Sequence, residues 1–308
     1  MDDIDNFEDE LRQTCEALTK SDWYPAHEDE VYEWVNEHIS EDLPSVRFGF
    51  ETALLDLLHG GKRQIVNNSW SVSPYEPLEI NGLVWMGDKE WMLEQLKNKL
   101  EAGFHCIKMK IGAIDFEKEM QLLAFIRSHY SANEITIRVD ANGAFTEKDV
   151  YAKLECLSEY QVHSIEQPVA AGQLPLMADV CVNSPVPVAL DEELIGVHGK
   201  ENKAQLLDAI NPQYIILKPT LVGGINSTKE WISEAESKNI GWWITSALES
   251  NVGLNAIAQL TATYPINLPQ GLGTGQLYHN NISSPLSIEN GRLLYQPEMD
   301  WDFDLLKL

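Results

Sequence analysis

The sequence predicts an α/β chain: a closed (β/α)8 barrel of the TIM type behind a partial, mainly helical N-terminal unit. Three observations carry that prediction. Eight short apolar runs alternate with longer amphipathic ones after residue 78, and alternation in this order reads as right-handed βαβ units that build a parallel sheet. The residues closing successive runs are Lys110, Asp140, Glu166, Asp191, Lys218, Ser246 and Leu272 with its flanking glycines. Their intervals of 30, 26, 25, 27, 28 and 26 residues each match one βα unit. The first sixty residues lack that alternation and carry a helical period instead.

In the N-terminal unit Phe7, Leu11, Cys15 and Leu18 step by three or four, as do Val46, Phe50, Ala53, Leu54 and Leu57. Gly60-Gly61 stops the second of these helices and Asn67-Asn68-Ser69 continues the break. A strand-like run from Ile80 to Met86 opens the new regime, which places a boundary near residue 78. The predicted strands are Leu83–Trp85, Cys106–Ile111, Ile135–Val139, Val162–Ile165, Val186–Leu190, Tyr214–Leu217, Gly241–Thr245 and Ile266–Leu268. The predicted helices between them are Lys89–Glu101, Phe116–Ser128, Thr146–Tyr160, Gly172–Val182, Lys203–Ile210, Ser227–Lys238 and Asn251–Tyr264. An open doubly wound sheet also alternates strands and helices, usually with fewer strands. The division is therefore 1–78, barrel 79–284, and a C-terminal segment 285–308 whose hairpin-like stretch Leu286–Tyr295 packs back on the N-terminal part.

Composition narrows the function. The 308 residues are 44% hydrophobic and 23% charged, an ordinary globular balance, with a net charge of −26. The first sixty residues alone hold 17 Asp and Glu against 3 Lys and Arg. So acidic a chain repels phosphate backbones and anionic headgroups, which argues against nucleic acid and membrane partners and for a small-molecule one. No apolar run approaches the roughly 20 residues of a membrane span, and no signal peptide opens the chain. The four cysteines lack framework spacing, as free thiols in a reducing cytoplasm do. Neither H-x-H, H-E-x-x-H nor a P-loop is present. Homo-oligomerisation stays open.

Active sites of a (β/α)8 barrel are built where its strands end, so the periodic polar residues mark one mouth. Asp140, Glu166 and Asp191 close three consecutive strands. Three carboxylates crowded there repel one another, and a hard cation with oxygen ligands, Mg²⁺ or alternatively Mn²⁺, removes the conflict. Taken singly, each is also a plain turn or strand exit; the common period favours the shared site. Lys108 and Lys110 alternate with apolar residues and share one strand face, while Lys218 arrives from the far side of the mouth. Two ammoniums facing each other are a candidate acid/base pair, with mutual repulsion and burial expected to depress at least one lysine pKa. The turns at Ser246–Ser250 and Gly271–Gly275 offer backbone N–H groups to anionic substrate groups, although such glycine patterns also occur in many ordinary turns.

Lys108-x-Lys110, Asp140-x-Asn142, Glu166-Gln-Pro168, Asp191-Glu192 and Lys218-Pro219 together resemble the enolase superfamily in its muconate-lactonizing-enzyme-like branch. Thr245–Asn251 and Gly271–Leu277 are similar to the o-succinylbenzoate synthase family, the dehydratases of menaquinone synthesis; the Asp-x-Asp of dipeptide epimerases is absent there. The resemblance, over residues 43 to 296, implies one Mg²⁺ on Asp140, Glu166 and Asp191, with Asn142 and Glu192 behind them. It implies Lys110 as the base, Lys218 as the charge stabiliser on the opposite face, and Lys108 beside the substrate carboxylate. Ser246, Glu249, Ser250, Gly271 and Gly273 would receive the succinyl tail. Family members begin with a capping sheet and a mobile loop. With the chain starting at Met1-Asp-Asp-Ile-Asp, the expectation is a capping unit without its sheet, and a mouth without its lid. Two other readings stay open: N-acylamino-acid racemization or another enolase-superfamily activity, and a lidless barrel that binds metal without turnover. A class I aldolase on Lys218 leaves the carboxylates without a role.

Overall fold

The computed structural model describes residues 4–70 and 76–304. Three helices come first: α1 (Phe7–Lys20), α2 (Glu28–His38) and α3 (Pro44–Leu58). Helix α1 buries no residue completely, whereas α3, opened by Pro44 in its first turn, buries Val46, Phe48, Phe50, Leu54 and Leu55. It can do so because it lies between α2 and the barrel, with an apolar layer on both sides.

The barrel strands are parallel and hydrogen-bonded in chain order: β2 (Gly82–Val84), β3 (Cys106–Lys110), β4 (Thr136–Asp140), β5 (Ser164–Glu166), β6 (Val188–Leu190), β7 (Tyr214–Leu217) and β8 (Gly241–Ile244). The connecting helices are α4 (Lys89–Glu101), α5 (Phe116–His129), α6 (Val150–Ser158), α7 (Leu174–Asn183), α8 (Lys200–Ile210), α9 (Gly224–Ser237) and α10 (Asn251–Thr261). Predicted and observed boundaries agree closely, apart from the last strand. Ile266–Leu268 forms no strand; the barrel closes two residues later through Gln270-Gly271, which bridges Ile80 on one side and Thr245 on the other. The reason is steric. A β-carbon on Gly271 would collide with the Thr245 side chain, so only glycine lets the backbones approach there. A separate antiparallel sheet joins β1 (Leu78–Glu79) to the hairpin of β9 (Leu286–Glu289) and β10 (Arg292–Tyr295), with Leu78 opposite Leu293.

Strand register sets the interior. Lys108, Arg138 and Ser164 lie side by side, and so do Lys110, Asp140 and Glu166 one step nearer the mouth. Apolar filling on the other side comes from Ala189, Ile216 and Trp243. Arg138 stacks its guanidinium 3.9 Å from the Trp243 ring centroid and donates to the carbonyl of Pro269 at 2.7 Å. Among the described residues no helix is long and apolar enough to cross a membrane.

Helix α3 meets the barrel through Glu51, which is 1% exposed and accepts the backbone N–H groups of Ile225 and, at 3.3 Å, Asn226 at the start of α9. Burial pushes this carboxyl up to about 7, against the opposing pull of those two N–H groups and of Arg47 and Lys229. The folded protein therefore keeps a proton that the unfolded chain loses above the ordinary carboxylate range, and stability falls as pH rises toward neutrality. We predict that Glu51→Gln removes about 2–3 kcal/mol of that fall. Urea unfolding at pH 5 and pH 8 measures it, and an identical pH slope in both proteins would contradict it.

Candidate active site

Asp140, Glu166 and Asp191 end β4, lie at the last position of β5 and follow β6, with exposures of 0%, 2% and 2%. Such groups cannot stay ionised alone in a dry interior. Lys108 lies 3.0 Å from Asp140 Oδ2 and pairs with Glu166 Oε2; Lys110 lies 2.8 Å from Asp140 Oδ2; Lys218 pairs with Asp191 Oδ2. All six side chains anticipated at the mouth are thus brought together. The lysines form a layer over the carboxylates, side chains 9%, 13% and 16% exposed.

The electrostatics depart from expectation. Burial lowers the affinity of Lys108 and Lys218 for a proton, but the carboxylates beside them more than compensate, and both sit above the ordinary lysine range. For these two lysines the neighbouring carboxylates outweigh both burial and the repulsion between ammoniums. Asp140 is likewise held below its ordinary value; burial opposes this, and Lys108 and Lys110 prevail. Glu166 goes the other way, raised first by burial and then by the neighbouring Asp140.

The donor set suits a hard divalent cation. Glu166 Oε1 is buried without a hydrogen-bond partner, and so is Glu192 Oε2. As the side chains stand, no three acidic, His or Cys groups among the described residues are converged on one point, because each carboxylate is turned to a lysine. Rotation of oxygen-only ligands away from those ammoniums would compose the site.

Asn142 and Glu192 come together, Asn142 Nδ2 donating to Glu192 Oε1 at 2.9 Å. Asn142 also accepts from Lys110 Nζ at 2.7 Å, so it orients the lysine as much as the carboxylates. The cleft above them, about 200 Å³, is lined by Lys108, Lys110 and Lys218, by Ser246, Gly271, Gly273 and Thr274, and by an apolar wall of Leu83, Trp85, Leu221 and Leu248. Glu249 and Ser250 are not in that lining. Glu249 is bound to the hydroxyls of Ser246, at 2.5 Å, and Thr220, and Ser250 is the exposed residue before α10. The N–H groups of Ser246 and Gly271 are also engaged, bonded to Gly271 O at 3.0 Å and Ile244 O at 2.8 Å in closing the barrel. Ala247 and Gly273 also line the cleft, and among the described residues their N–H groups have no backbone partner.

Two features escaped sequence reasoning. Leu83 in β2 and Trp85 just after it both line the cleft, two residues apart, a period-two signal hidden because no polar residue closes that strand. Gln167 has a buried side chain and a φ of +39°. Its Oε1 accepts the N–H groups of Asp191 (3.2 Å) and Glu193 (3.3 Å), and its Nε2 donates to Val169 O (3.0 Å) and Glu193 Oε2 (3.1 Å). One amide thus joins the ends of β5 and β6.

A family profile described as Enolase C-terminal domain-like matches residues 91–298. The chain is 52% identical over 254 residues to an o-succinylbenzoate synthase of Desulfotalea psychrophila, covering 81% of this chain and 67% of that protein. It is 29% identical over 178 residues to an L-amino acid-D/L-Glu epimerase of Francisella philomiragia, covering 57% of this chain and 49%, about half, of that one. The crystal structure of MenC from Desulfotalea psychrophila superposes with a TM-score of 0.80 at 46% identity, covering 92% of this chain and 80% of that chain.

Gln167→Leu keeps the volume and strands four buried polar partners, so we predict a loss of about 3 kcal/mol or more. Urea denaturation measures it, and a loss under about 1 kcal/mol would show that the amide is dispensable.

Proposed function

Because the chain belongs to the enolase C-terminal domain-like family, we propose that it dehydrates 2-succinyl-6-hydroxy-2,4-cyclohexadiene-1-carboxylate to 2-succinylbenzoate. The observation that carries this reading is the cleft in which Lys110 and Lys218 approach from opposite walls above three buried carboxylates. A relative of that activity at 52% identity supports it. Asp140, Glu166 and Asp191 would hold a divalent cation, Mg²⁺ with Mn²⁺ as substitute, which supplies Lewis-acid stabilisation of the charge that develops on the substrate carboxylate.

The chain's own residues do the rest. Lys110 removes the proton α to that carboxylate and returns it to the departing hydroxyl on the same face, so one base suffices. Asn142 Oδ1 holds the Lys110 Nζ in place. Lys218 keeps positive charge at the opposite face, and Lys108 neutralises Asp140 and Glu166 from within. Leu83, Trp85, Leu221 and Leu248 present apolar surface to the six-membered ring and exclude water. The N–H groups of Ala247 and Gly273 suit the succinyl carboxylate. Four free cysteines suit a cytoplasmic location.

Two lysines on opposite walls also suit proton exchange at a carbon of either hand, and racemization of an N-acylamino acid is the second reading.

The test is a Mg²⁺-dependent dehydration assay. Turnover that EDTA abolishes and Mg²⁺ restores is expected; absence of turnover with Mg²⁺ present rejects the reading. Deuterium uptake into both enantiomers of an N-acylamino acid, without dehydration, would install the second. Lys110→Ala should lose 10²–10⁴-fold or more in kcat. Lys218→Arg should be impaired yet still exchange the α-proton of product with deuterated solvent. Exchange that persists in Lys110→Ala and vanishes in Lys218→Arg would reverse the two roles. Glu166→Gln should lower Mg²⁺ affinity in calorimetry with the fold intact, and unchanged affinity would remove it from the metal site.

A further inference from the structure

We infer that Glu51, outside the barrel on α3, is a positioning residue for Lys218 and Leu221, acting through the N-terminus of α9. The inference rests on the proposed dehydration for its main readout. Its chain of contacts is short. Glu51 Oε2 accepts the N–H groups of Ile225 and Asn226, two of the donors that a helix start leaves unsatisfied. Gly223 and Gly224 enter α9 with φ of +103° and +100°, and a β-carbon on Gly224 would overlap the Glu51 carboxylate. Backbone and carboxylate are therefore in direct contact, with no side chain between them.

From that point hydrogen bonds run straight to the cleft. Gly224 N–H donates to Pro219 O at 2.8 Å, and Leu221 and Val222 N–H both donate to Lys218 O, at 2.8 and 3.0 Å. The Ser227 hydroxyl holds Val222 O from inside α9. Residues 218–224 thus form one bonded turn whose far end is pinned by Glu51 and whose near end carries Lys218 and Leu221 into the cleft lining.

An apolar side chain would glue α3 to the barrel at lower cost than a buried carboxyl. Arg47 on the same helix and Lys229 on α9 lie near enough to pull on the Glu51 carboxyl. Its hydrogen bonds nevertheless go to the start of α9, where its Oε2 accepts N–H groups that the helix itself leaves unsatisfied. Its other oxygen, Oε1, is buried without a hydrogen-bond partner. The group is aimed at the helix start.

The test is a double-mutant cycle on the full chain with saturating Mg²⁺. Glu51→Gln and Glu51→Ala are each measured alone and in the Lys218→Arg background, with folding followed by circular dichroism. Glu51→Gln is expected to stay folded and to lower kcat about tenfold with KM within threefold. In the Lys218→Arg background the same change should lower kcat less than twofold, because no correctly placed ammonium is left to displace. Equal losses in both backgrounds would make Glu51 a purely structural residue and overturn the inference, as would unfolding of Glu51→Gln itself. Should Glu51→Ala alone unfold, the Gln variant decides. A wild-type chain that does not dehydrate the substrate rejects the proposed function instead. The inference is then read from the ¹⁵N shift of the Lys218 ammonium, identified by its loss in Lys218→Arg; Glu51→Gln is expected to move it, and an unmoved signal overturns the inference.

Discussion

Three carboxylates end neighbouring strands in an interior that water does not reach, and the positive charge brought with them makes the arrangement tolerable. An isolated carboxylate there would lose far more in solvation than packing returns. Lys108 and Lys110 reach the shared Asp140 from one strand, Lys108 continues to Glu166, and Lys218 covers Asp191 from across the mouth. The strand register places Lys110, Asp140 and Glu166 at one level, so the ion pairs follow from the sheet itself. The same layer is the floor of the cleft. Charge compensation and catalytic placement are two consequences of one arrangement, and a cation that draws the carboxylates together would release the lysines for work above.

Much of this was legible because a βα unit has a nearly constant length. Lys110, Asp140, Glu166, Asp191 and Lys218 are far apart in sequence and adjacent in space, and their even spacing carried the prediction. Alternation along Cys106–Lys110 put both lysines on one face, and both reach Asp140 Oδ2 and line the cleft. What escaped depends on contacts that spacing does not encode. The closing strand shrinks to Gln270-Gly271 because Gly271 must pass close to Thr245, a fact of three-dimensional packing. That closure uses the Ser246 and Gly271 N–H groups that had been assigned to substrate. Lys108 and Lys218 sit above the ordinary lysine range because the carboxylates in contact with them outweigh the repulsion between ammoniums, which spacing alone does not reveal. Glu51 reaches Ile225 across 174 residues, and nothing local marks it.

The helical N-terminal layer belongs to the same account. Its apolar residues join the continuous core of the barrel, and its buried carboxyl Glu51 faces the turn that delivers Lys218. Gln167 plays the corresponding part on the other side, tying the end of β5 to the backbone of Asp191. Acid and lysine are thus each supported from behind by a buried polar group whose bonds go to backbone. Such supports hold a site to the tolerance that chemistry needs.

The claim that buried carboxylates and lysines compensate one another is tested most directly by the unfolding free energy of Lys108→Met, measured with EDTA and again with saturating Mg²⁺. Without the cation, removal of the shared partner of Asp140 and Glu166 should cost about 3–5 kcal/mol. With Mg²⁺ most of that loss should be recovered, because the ion takes over the charge that the lysine had balanced. A variant as stable as the wild type in EDTA, or one that Mg²⁺ fails to restore, would contradict the account.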